Sequence, residues 1–574
     1  MQQDLTVEFG NIIETPTVFP EEQGQLEITV TNQGEEDATD ATLNLYASTD
    51  TELDDEVLNT STDTIEGTDI DALQGTDELL GSIDGVNLAA GETQTFTIDF
   101  ASEDFQTTSV VSPGAYNLIA EVDLEGDSNL DNNLATQFIS SDGTDVVLDW
   151  NSVFLNAVQE EGQTDSELGI GLEQDSTSLD DITGVAPPVE AYNGAILHLA
   201  IHDAISNAPE GASQEAAAVG AAHYVLSQLF GVPQGEQEDS SNTPPERFEQ
   251  QATFDAQLAR SLEEIQDDPA AEDAGFDFGT EVAQNIIAER SNDGAAQAQV
   301  PYEPGTAPGD YQETREDGPV VALLPNWGFV TPFAIDSPVS FRPEGPPAFS
   351  SPSYAEDVEE VRRLGAIVDT DITDVERTEE QTEIAQFWAY DREDTFRPPG
   401  QWNQIAQEIA IDEGNSLEEN AQLFAELNVS LADAGIVAWD TKYAFEQIRP
   451  INAIGNADND NNPDTVGDPE WEPLLDTPNF PDYISGHSAF GGAAAGVLQD
   501  FFGEDVSFEI ATQELPGVTR EFTSSGSTSS FEVAARENAD SRLFGGVHVD
   551  ISNVDGVDVG LDVASSVLDS DLFI

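Results

Sequence analysis

Lys442 is the only lysine of the chain, and it stands seven residues before Arg449, which is followed by Pro450. Downstream come Ser485-Gly486-His487, then Ser541-Arg542, with His548 six positions beyond that arginine. Three fixed cations and two of the five histidines gathered in three blocks point to an anion as ligand. Residues seven apart on a helix lie two turns apart on nearly the same face, so Lys442 and Arg449 are expected to reach one ligand from one helix, which Pro450 would end or kink. Ser485-Gly486, ahead of the small-residue run Ala489 to Gly496, reads as an N-cap. Amides at the head of a helix and the positive end of its dipole favour a tetrahedral oxyanion. His487 then stands in the first turn, beside that anion. Arg542 adds the third cation, and a histidine such as His548 can attack phosphorus or ligate a metal oxyanion. Gly545-Gly546 breaks any helix between the last two, so no shared face is argued for them. Singly, an arginine is ordinary surface charge and a Ser-Gly-His a turn; the order and spacing carry the reading.

These residues need elements to hold them. Residues 4 to about 141 alternate apolar and polar positions in short runs, as in Gln25-Leu26-Glu27-Ile28-Thr29-Val30-Thr31 and Thr95-Phe96-Thr97-Ile98-Asp99-Phe100, which predicts an all-β sandwich. After Ser140-Ser141-Asp142-Gly143 the period becomes helical, from near Val147 and plainly over Ala191 to Ala204. Helices are predicted at 212–231, 247–266, 279–290, 355–366, 376–391, 402–411, 416–434 and 486–502, joined by Pro-rich connections. The fold class expected is therefore multidomain, a β-sandwich at 1–141 followed by a mainly α bundle at 142–574.

Composition sets further limits. Fifteen Lys and Arg against 115 Asp and Glu give a net charge of −100, yet 38% of residues are hydrophobic, enough for cores. Self-repulsion of that size is screened at molar salt, where the Debye length is about 3 Å, so a halophilic protein is expected. Nucleic acid and anionic membranes are not expected as partners, since both require basic surface. The chain has no cysteine, which removes disulfides and thiolate metal sites. Met1-Gln2-Gln3-Asp4 lacks the charged and apolar regions of a signal peptide, and no stretch approaches the roughly 20 apolar residues of a membrane span. A soluble chain is expected, with any leader lying upstream of Met1.

Lys-six-Arg-Pro, Ser-Gly-His and Ser-Arg-five-His, in this order, resemble the three-part signature shared by vanadium-dependent haloperoxidases and type 2 phosphatidic acid phosphatases. The surroundings over about 146–574 are similar to the bacterial vanadium haloperoxidases: Pro398-Pro399-Gly400-Gln401-Trp402-Asn403, Asp468-Pro469-Glu470-Trp471, Phe480-Pro481-Asp482-Tyr483 and Ser541-Arg542-Leu543-Phe544-Gly545-Gly546-Val547-His548. The resemblance implies vanadate held by Lys442, Arg449, Arg542 and the Ser485 and Gly486 amides, with His548 on vanadium and His487 as the acid–base residue. Trp439 and Phe480 fall where chloroperoxidase-type members carry halide-pocket aromatics. Hydrogen peroxide, halide and a small organic molecule would be the substrates and hypohalous acid the product, with Lys442 polarising the bound peroxide. In the first 141 residues, Asp4-Leu5-Thr6-Val7, Thr31-Asn32-Gln33-Gly34 and Asp131-Asn132-Asn133 resemble the immunoglobulin-like modules called CARDB. Such modules sit on exported proteins, which favours a secreted or surface location over the cytoplasm of a salt-accumulating cell.

Two other functions fit the same residues. A soluble acid phosphatase would use the same oxyanion site with phosphate, His548 as nucleophile and His487 as general acid. An inactive adhesion protein would keep the site only as a relic. Two departures from the family pattern bear on this choice: Ile484 replaces the proline before Ser-Gly-His, and Ser552 replaces the aspartate expected four residues after His548, though Asp550 lies two after it. A carboxylate there fixes the histidine's tautomer. Elsewhere, His198 and His202 have a metal-compatible i, i+4 spacing beside Asp203 but sit in an apolar, scaffold-like helix. Asp458, Asp460, Asn462 and Asp464 form a candidate calcium loop, as do Asp123, Glu125, Asp127 and Asp131; neither has the closing bidentate glutamate, and solvated surface is the default.

Overall fold

A computed structural model describes residues 5–14, 24–34, 38–48, 78–100, 115–124, 133–140, 145–168, 185–231, 245–312, 322–392, 394–460, 462–504, 506–515 and 518–573. Two compact units divide the chain, Met1–Val153 with Ala511–Thr519, and Phe154–Ile510 with Arg520–Ile574. The boundary expected at 141/142 and the acidic run Asp123, Glu125, Asp127, Asp131 fall on side chains or residues outside those described.

The first unit is strand-rich. Strands β1 (Leu5–Glu14), β2 (Gly24–Asn32), β3 (Ala38–Ser48), β4 (Glu78–Leu88), β5 (Thr93–Phe100), β6 (Ala115–Asp123) and β7 (Leu134–Ser140) form two antiparallel sheets, β1-β2-β5 and β4-β3-β6-β7. Alternate residues point to opposite faces of a strand. Leu5 and Val7, Ile28 and Val30, Leu43 and Leu45, Val86 and Leu88, and Ala120 and Val122 accordingly meet in one core, the expected sandwich. Asn32 ties the sheets together, its Nδ2 donating to Leu88 O at 3.0 Å while its Oδ1 accepts from Gly34 N at 2.9 Å.

The remaining elements are helices α1 (Val146–Leu168), α2 (Pro187–Ser206), α3 (Gln214–Leu229), α4 (Pro245–Glu264), α5 (Pro269–Arg290), α6 (Pro352–Gly365), α7 (Glu379–Phe387), α8 (Arg397–Glu413), α9 (Leu417–Phe445), α10 (Pro450–Gly455), α11 (Gly486–Phe502), α12 (Ser530–Phe544) and α13 (Asp550–Leu568), with a hairpin of β8 (Phe508–Ala511) and β9 (Thr519–Phe522). The apolar helix α9 opens on a capping box in which Ser416 and Glu419 satisfy each other's backbone N–H. It packs against α2, α11 and α13, and α11 in turn packs against α12 and α13. The α11–α13 contact depends on glycine: a Cβ on Gly492 would strike the Val557 carbonyl, and one on Gly560 the Ala489 carbonyl. That close approach sets the head of α11 against the start of α13. No helix among the described residues is long and apolar enough to cross a membrane.

Two expectations are corrected. Lys442 and Arg449 do not share a helix: α9 ends at Phe445 and Glu446 turns left-handed at φ 50°, so Lys442 lies in the last turn. The chain then leaves to pair with 309–311, Ile448 N donating to Gly309 O and Tyr311 N to Glu446 O. Arg449 is extended because Pro450 follows, and it stands as the N-cap of α10. Second, the acidic stretch Asp458, Asp460, Asn462 and Asp464 is fastened to its own loop, not assembled as a calcium site. Asp460 accepts from Asn462 N and Thr465 Oγ1, Asp458 from Gly467 N, and Asn462 Nδ2 donates to the carbonyls of Phe349 and Ser351. Among the described residues no three His, Asp or Glu side chains gather in a metal-ligand arrangement.

Candidate active site

Each motif arrives at the site from a different element end. Lys442 reaches from the last turn of α9, Arg449 from the α9–α10 connection, Ser485 to His487 from the head of α11, Arg542 from the end of α12 and His548 from just before α13. Arg449 and Arg542 are buried completely, as is Lys442. Buried cations require partners, or the loss of hydration costs several kcal/mol. One extended segment supplies most of them through three consecutive carbonyls: Phe480 O accepts from Arg449 Nε at 2.7 Å, and Pro481 O and Asp482 O accept from Lys442 Nζ at 2.9 and 3.1 Å. Arg542 Nη1 pairs with Asp391 Oδ2 at 2.9 Å, and its Nη2 donates to Ala385 O.

Arg449 Nη1 donates to Val547 O at 2.7 Å and lies 3.2 Å from His548 Nε2. Arginine can only donate, so Nε2 is the accepting nitrogen of His548 and Nδ1 carries the proton. That proton goes to Asp482 Oδ1 at 2.5 Å, and Ser552 Oγ donates to the other carboxylate oxygen at 3.1 Å. His487 is fixed by the same logic with the opposite tautomer: Nε2 donates to Ala389 O at 2.8 Å, leaving Nδ1 as the atom able to take a proton. Ser485 caps α11, its Oγ accepting from Ser488 N; its own amide, expected at the anion, instead donates to Ser552 O at 2.9 Å, so the Gly486 and His487 amides, which precede the first intrahelical bond of the ladder, take that place. Arg449 Nη2 is buried and has no hydrogen-bond partner among the described residues. An unpaired guanidinium nitrogen beside helix-head amides, a second arginine and a lysine suits a tetrahedral oxyanion in both charge and donor geometry.

The pocket over these groups is walled by Trp439, Phe480 and Phe490 and by Pro187, Pro398 and Pro478, with Asp391, His487, Arg542 and His548 at its polar side. The Trp439 and Phe480 rings are 5.0 Å apart, and Lys442 Nζ lies 4.8 Å from the centre of the Phe480 ring. Burial and then Arg542 push His487 down to about 4, and burial with Arg449 pushes Lys442 well below its ordinary value. Asp482 is raised to about 6 by burial, against the pull of Arg449 and Lys442. A bound anion opposes the shift of His487, because it favours the protonated form. Phosphate binding at pH 6 should therefore draw in protons, fewer in His487→Ala. Calorimetry in two buffers of unlike ionisation heat reads this as a difference in binding heat; equal heats contradict it.

Residues 422–571 match the family model of the second helical-bundle domain of VCPO, and residues 2–137 match the CARDB model. The chain is 28% identical to the vanadium chloroperoxidase of Curvularia inaequalis over 414 residues, which takes in 58% of this chain and 66% of that protein. The solved structure of a bacterial vanadium-dependent iodoperoxidase superposes with a TM-score of 0.56 at 25% identity, over 73% of this chain and 95% of the other. The helical part of this chain is related to the vanadium haloperoxidases. A holo bacterial vanadium-dependent chloroperoxidase shares the fold at TM-score 0.50 and 17% identity, over 67% and 91% of the two chains.

Against the haloperoxidase pattern, all seven motif residues named from the sequence, Lys442, Arg449, Ser485, Gly486, His487, Arg542 and His548, lie at the ends of elements that converge, and Trp439 and Phe480 line the pocket with His487 and His548. Ile484, in place of proline, is fully buried ahead of Ser485. The residues missed were Asp391, Asp482 and the Ala389 carbonyl. Asp482 had a visible signal, a single acid in the otherwise apolar Phe480 to Ile484 run; Asp391, one acid in an acidic loop, had none. His198 and His202 do not form a metal pair: His198 packs between Phe154 and Phe424, and His202 bonds Asp203 and Ser206.

Proposed function

We propose that this protein is a vanadate-dependent haloperoxidase, oxidising bromide or chloride with hydrogen peroxide to hypohalous acid. The observation that carries the reading is the His548 lone pair: Nδ1 is tied to a carboxylate, and Nε2 is held by arginine among three buried cations and helix-head amides. Lys442, Arg449, Arg542 and the Gly486 and His487 amides would hold vanadate, with His548 Nε2 as the nitrogen ligand. When bound, vanadate supplies Lewis acidity that activates peroxide without a change of metal oxidation state. Lys442 offers a desolvated positive charge where negative charge develops, which is worth more in a dry site than in water. His487 Nδ1 accepts and returns a proton while Ala389 O keeps the ring still. The aromatic and proline wall limits water around the reacting oxygens. The same His548 lone pair could instead attack phosphorus, which makes a soluble phosphatase the competing reading.

Two further features belong to this proposal. The −100 charge supports a protein adapted to high salt, and the CARDB-like unit supports a location outside the cytoplasm. The deciding assay is peroxide-dependent bromination of a phenol in molar salt, with vanadate added or withheld, beside hydrolysis of an aryl phosphate. Bromination that requires vanadate, with negligible hydrolysis, is the expected result. Hydrolysis inhibited by vanadate without bromination moves the protein to the phosphatase class, and silence in both leaves a relic site.

A further inference from the structure

We propose that Asp482 is a positioning residue for His548, supplying from the segment ahead of α11 the carboxylate that the haloperoxidase pattern expects after the histidine, where this chain has Ser552. The inference rests on the oxyanion-site reading for its functional consequence, but the arrangement itself stands on geometry. Asp482 Oδ1 accepts the hydrogen bond from His548 Nδ1–H, Ser552 Oγ donates to Oδ2, and both carboxylate oxygens are thereby occupied. Asp482 is wholly buried, so its orientation has no solvent alternative. Its backbone is pinned as well, with N donating to Gln447 O at 3.0 Å and O accepting from Lys442 Nζ at 3.1 Å. One residue thus sets the tautomer of the histidine and anchors the lysine that approaches the same anion.

The alternative carboxylate near in sequence, Asp550, does not do this. It is half-buried in the first turn of α13, and its electrostatic neighbours are Asp357, Glu360 and Asp540. Ser552 has changed its part: a hydroxyl at this position is too short to serve the histidine as an acid would, and instead it holds the carboxylate that does. The carboxylate thus reaches Nδ1 from the segment before α11 and not from α13, and the hydrogen bond to Nδ1 is kept. An outer carboxylate of this kind fixes which ring nitrogen is free for the ligand and raises its basicity, and removing one lowers metal affinity by about 10–100-fold.

The test uses the full chain in molar salt, labelled with 15N-histidine, and compares wild type with Asp482→Ala, Asp482→Asn and the double variant Asp482→Ala/Ser552→Asp. Nitrogen chemical shifts report the His548 tautomer without any bound metal, and orthovanadate titration followed by 51V NMR reports affinity. The wild type should show a protonated Nδ1. Asp482→Ala should lose that preference and about 10–100-fold in orthovanadate affinity. Asp482→Asn, whose Oδ1 still accepts the Nδ1 proton, should keep the tautomer and lose less. The double variant should recover both signals, because the carboxylate returns from the α13 side. An unchanged tautomer and affinity in Asp482→Ala overturns the proposal, as does failure of the double variant to recover when its melting temperature matches the wild type. Wild type that fails to bind orthovanadate overturns the oxyanion reading, and the tautomer comparison still decides the role of Asp482.

Discussion

Lys442→Met is expected to lower the halogenation rate at saturating vanadate by about 10²–10³-fold, the size seen when one preorganised donor is removed from a developing negative charge. Methionine keeps the buried stem against Phe480 and Trp439 but carries no charge and donates no hydrogen bond. The Pro481 and Asp482 carbonyls lose their donor, and each unsatisfied group costs about 1–3 kcal/mol. A lower melting temperature should accompany the lost rate. Lys442→Arg is not expected to rescue, since a planar guanidinium cannot place one compact charge between those carbonyls and the anion. Initial rates on protein shown by circular dichroism to be folded settle the matter; a Lys442→Met rate within a few-fold of wild type contradicts the role given to the lysine.

Dilution should unfold the protein. Lowering ionic strength from 1 M to 0.01 M lengthens the Debye length from about 3 Å to about 30 Å, so acids that were independent begin to repel. Every Lys and Arg lies between Arg247 and Arg542, and neither Met1–Val153 nor Ala511–Thr519 contains one. The strand-rich unit therefore has no lysine or arginine of its own to relieve its acids. The helical unit has ion pairs such as Arg520 with Glu537 and Arg342 with Asp440. The expected result is loss of β signal first, at higher salt than loss of helix, with sodium and potassium chloride equivalent if screening is the cause. Far-ultraviolet circular dichroism across a salt series measures this, and an unchanged spectrum in dilute buffer would falsify it. Activity should fall with the helical signal, because bromide and chloride must also approach a strongly negative surface.

What the sequence disclosed and withheld follows from the physics of each element. The β-sandwich was legible because its strands keep period two, from Leu26-Glu27-Ile28 to Phe96-Thr97-Ile98. Helices α2, α8 and α11 were legible from their apolar or small-residue faces. Helices α12 and α13 were not foreseen. The inward face of α12 mixes Phe531, Ala534 and Leu543 with buried Asn538, Ser541 and Arg542, and α13 alternates Val with Asp and Gly like a strand until Gly556 and Gly560 are seen to admit α11. The motif spacing named residues that the fold brings together, though for a partly wrong reason. Lys442 and Arg449 meet through the carbonyls of 480–482, a contact no local period encodes. The carboxylate bonded to His548 Nδ1 is Asp482, 70 residues before the position 552 where one is expected, a contact visible only once the elements are assembled.

The most direct measurement is a crystal structure at molar salt of protein soaked with orthovanadate. The proposed function predicts vanadium at His548 Nε2, with Lys442, Arg449, Arg542 and the amides at the head of α11 around its oxygens and Nδ1 still on Asp482. Vanadate bound elsewhere, or His548 Nε2 still resting on Arg449 at saturating vanadate, contradicts it.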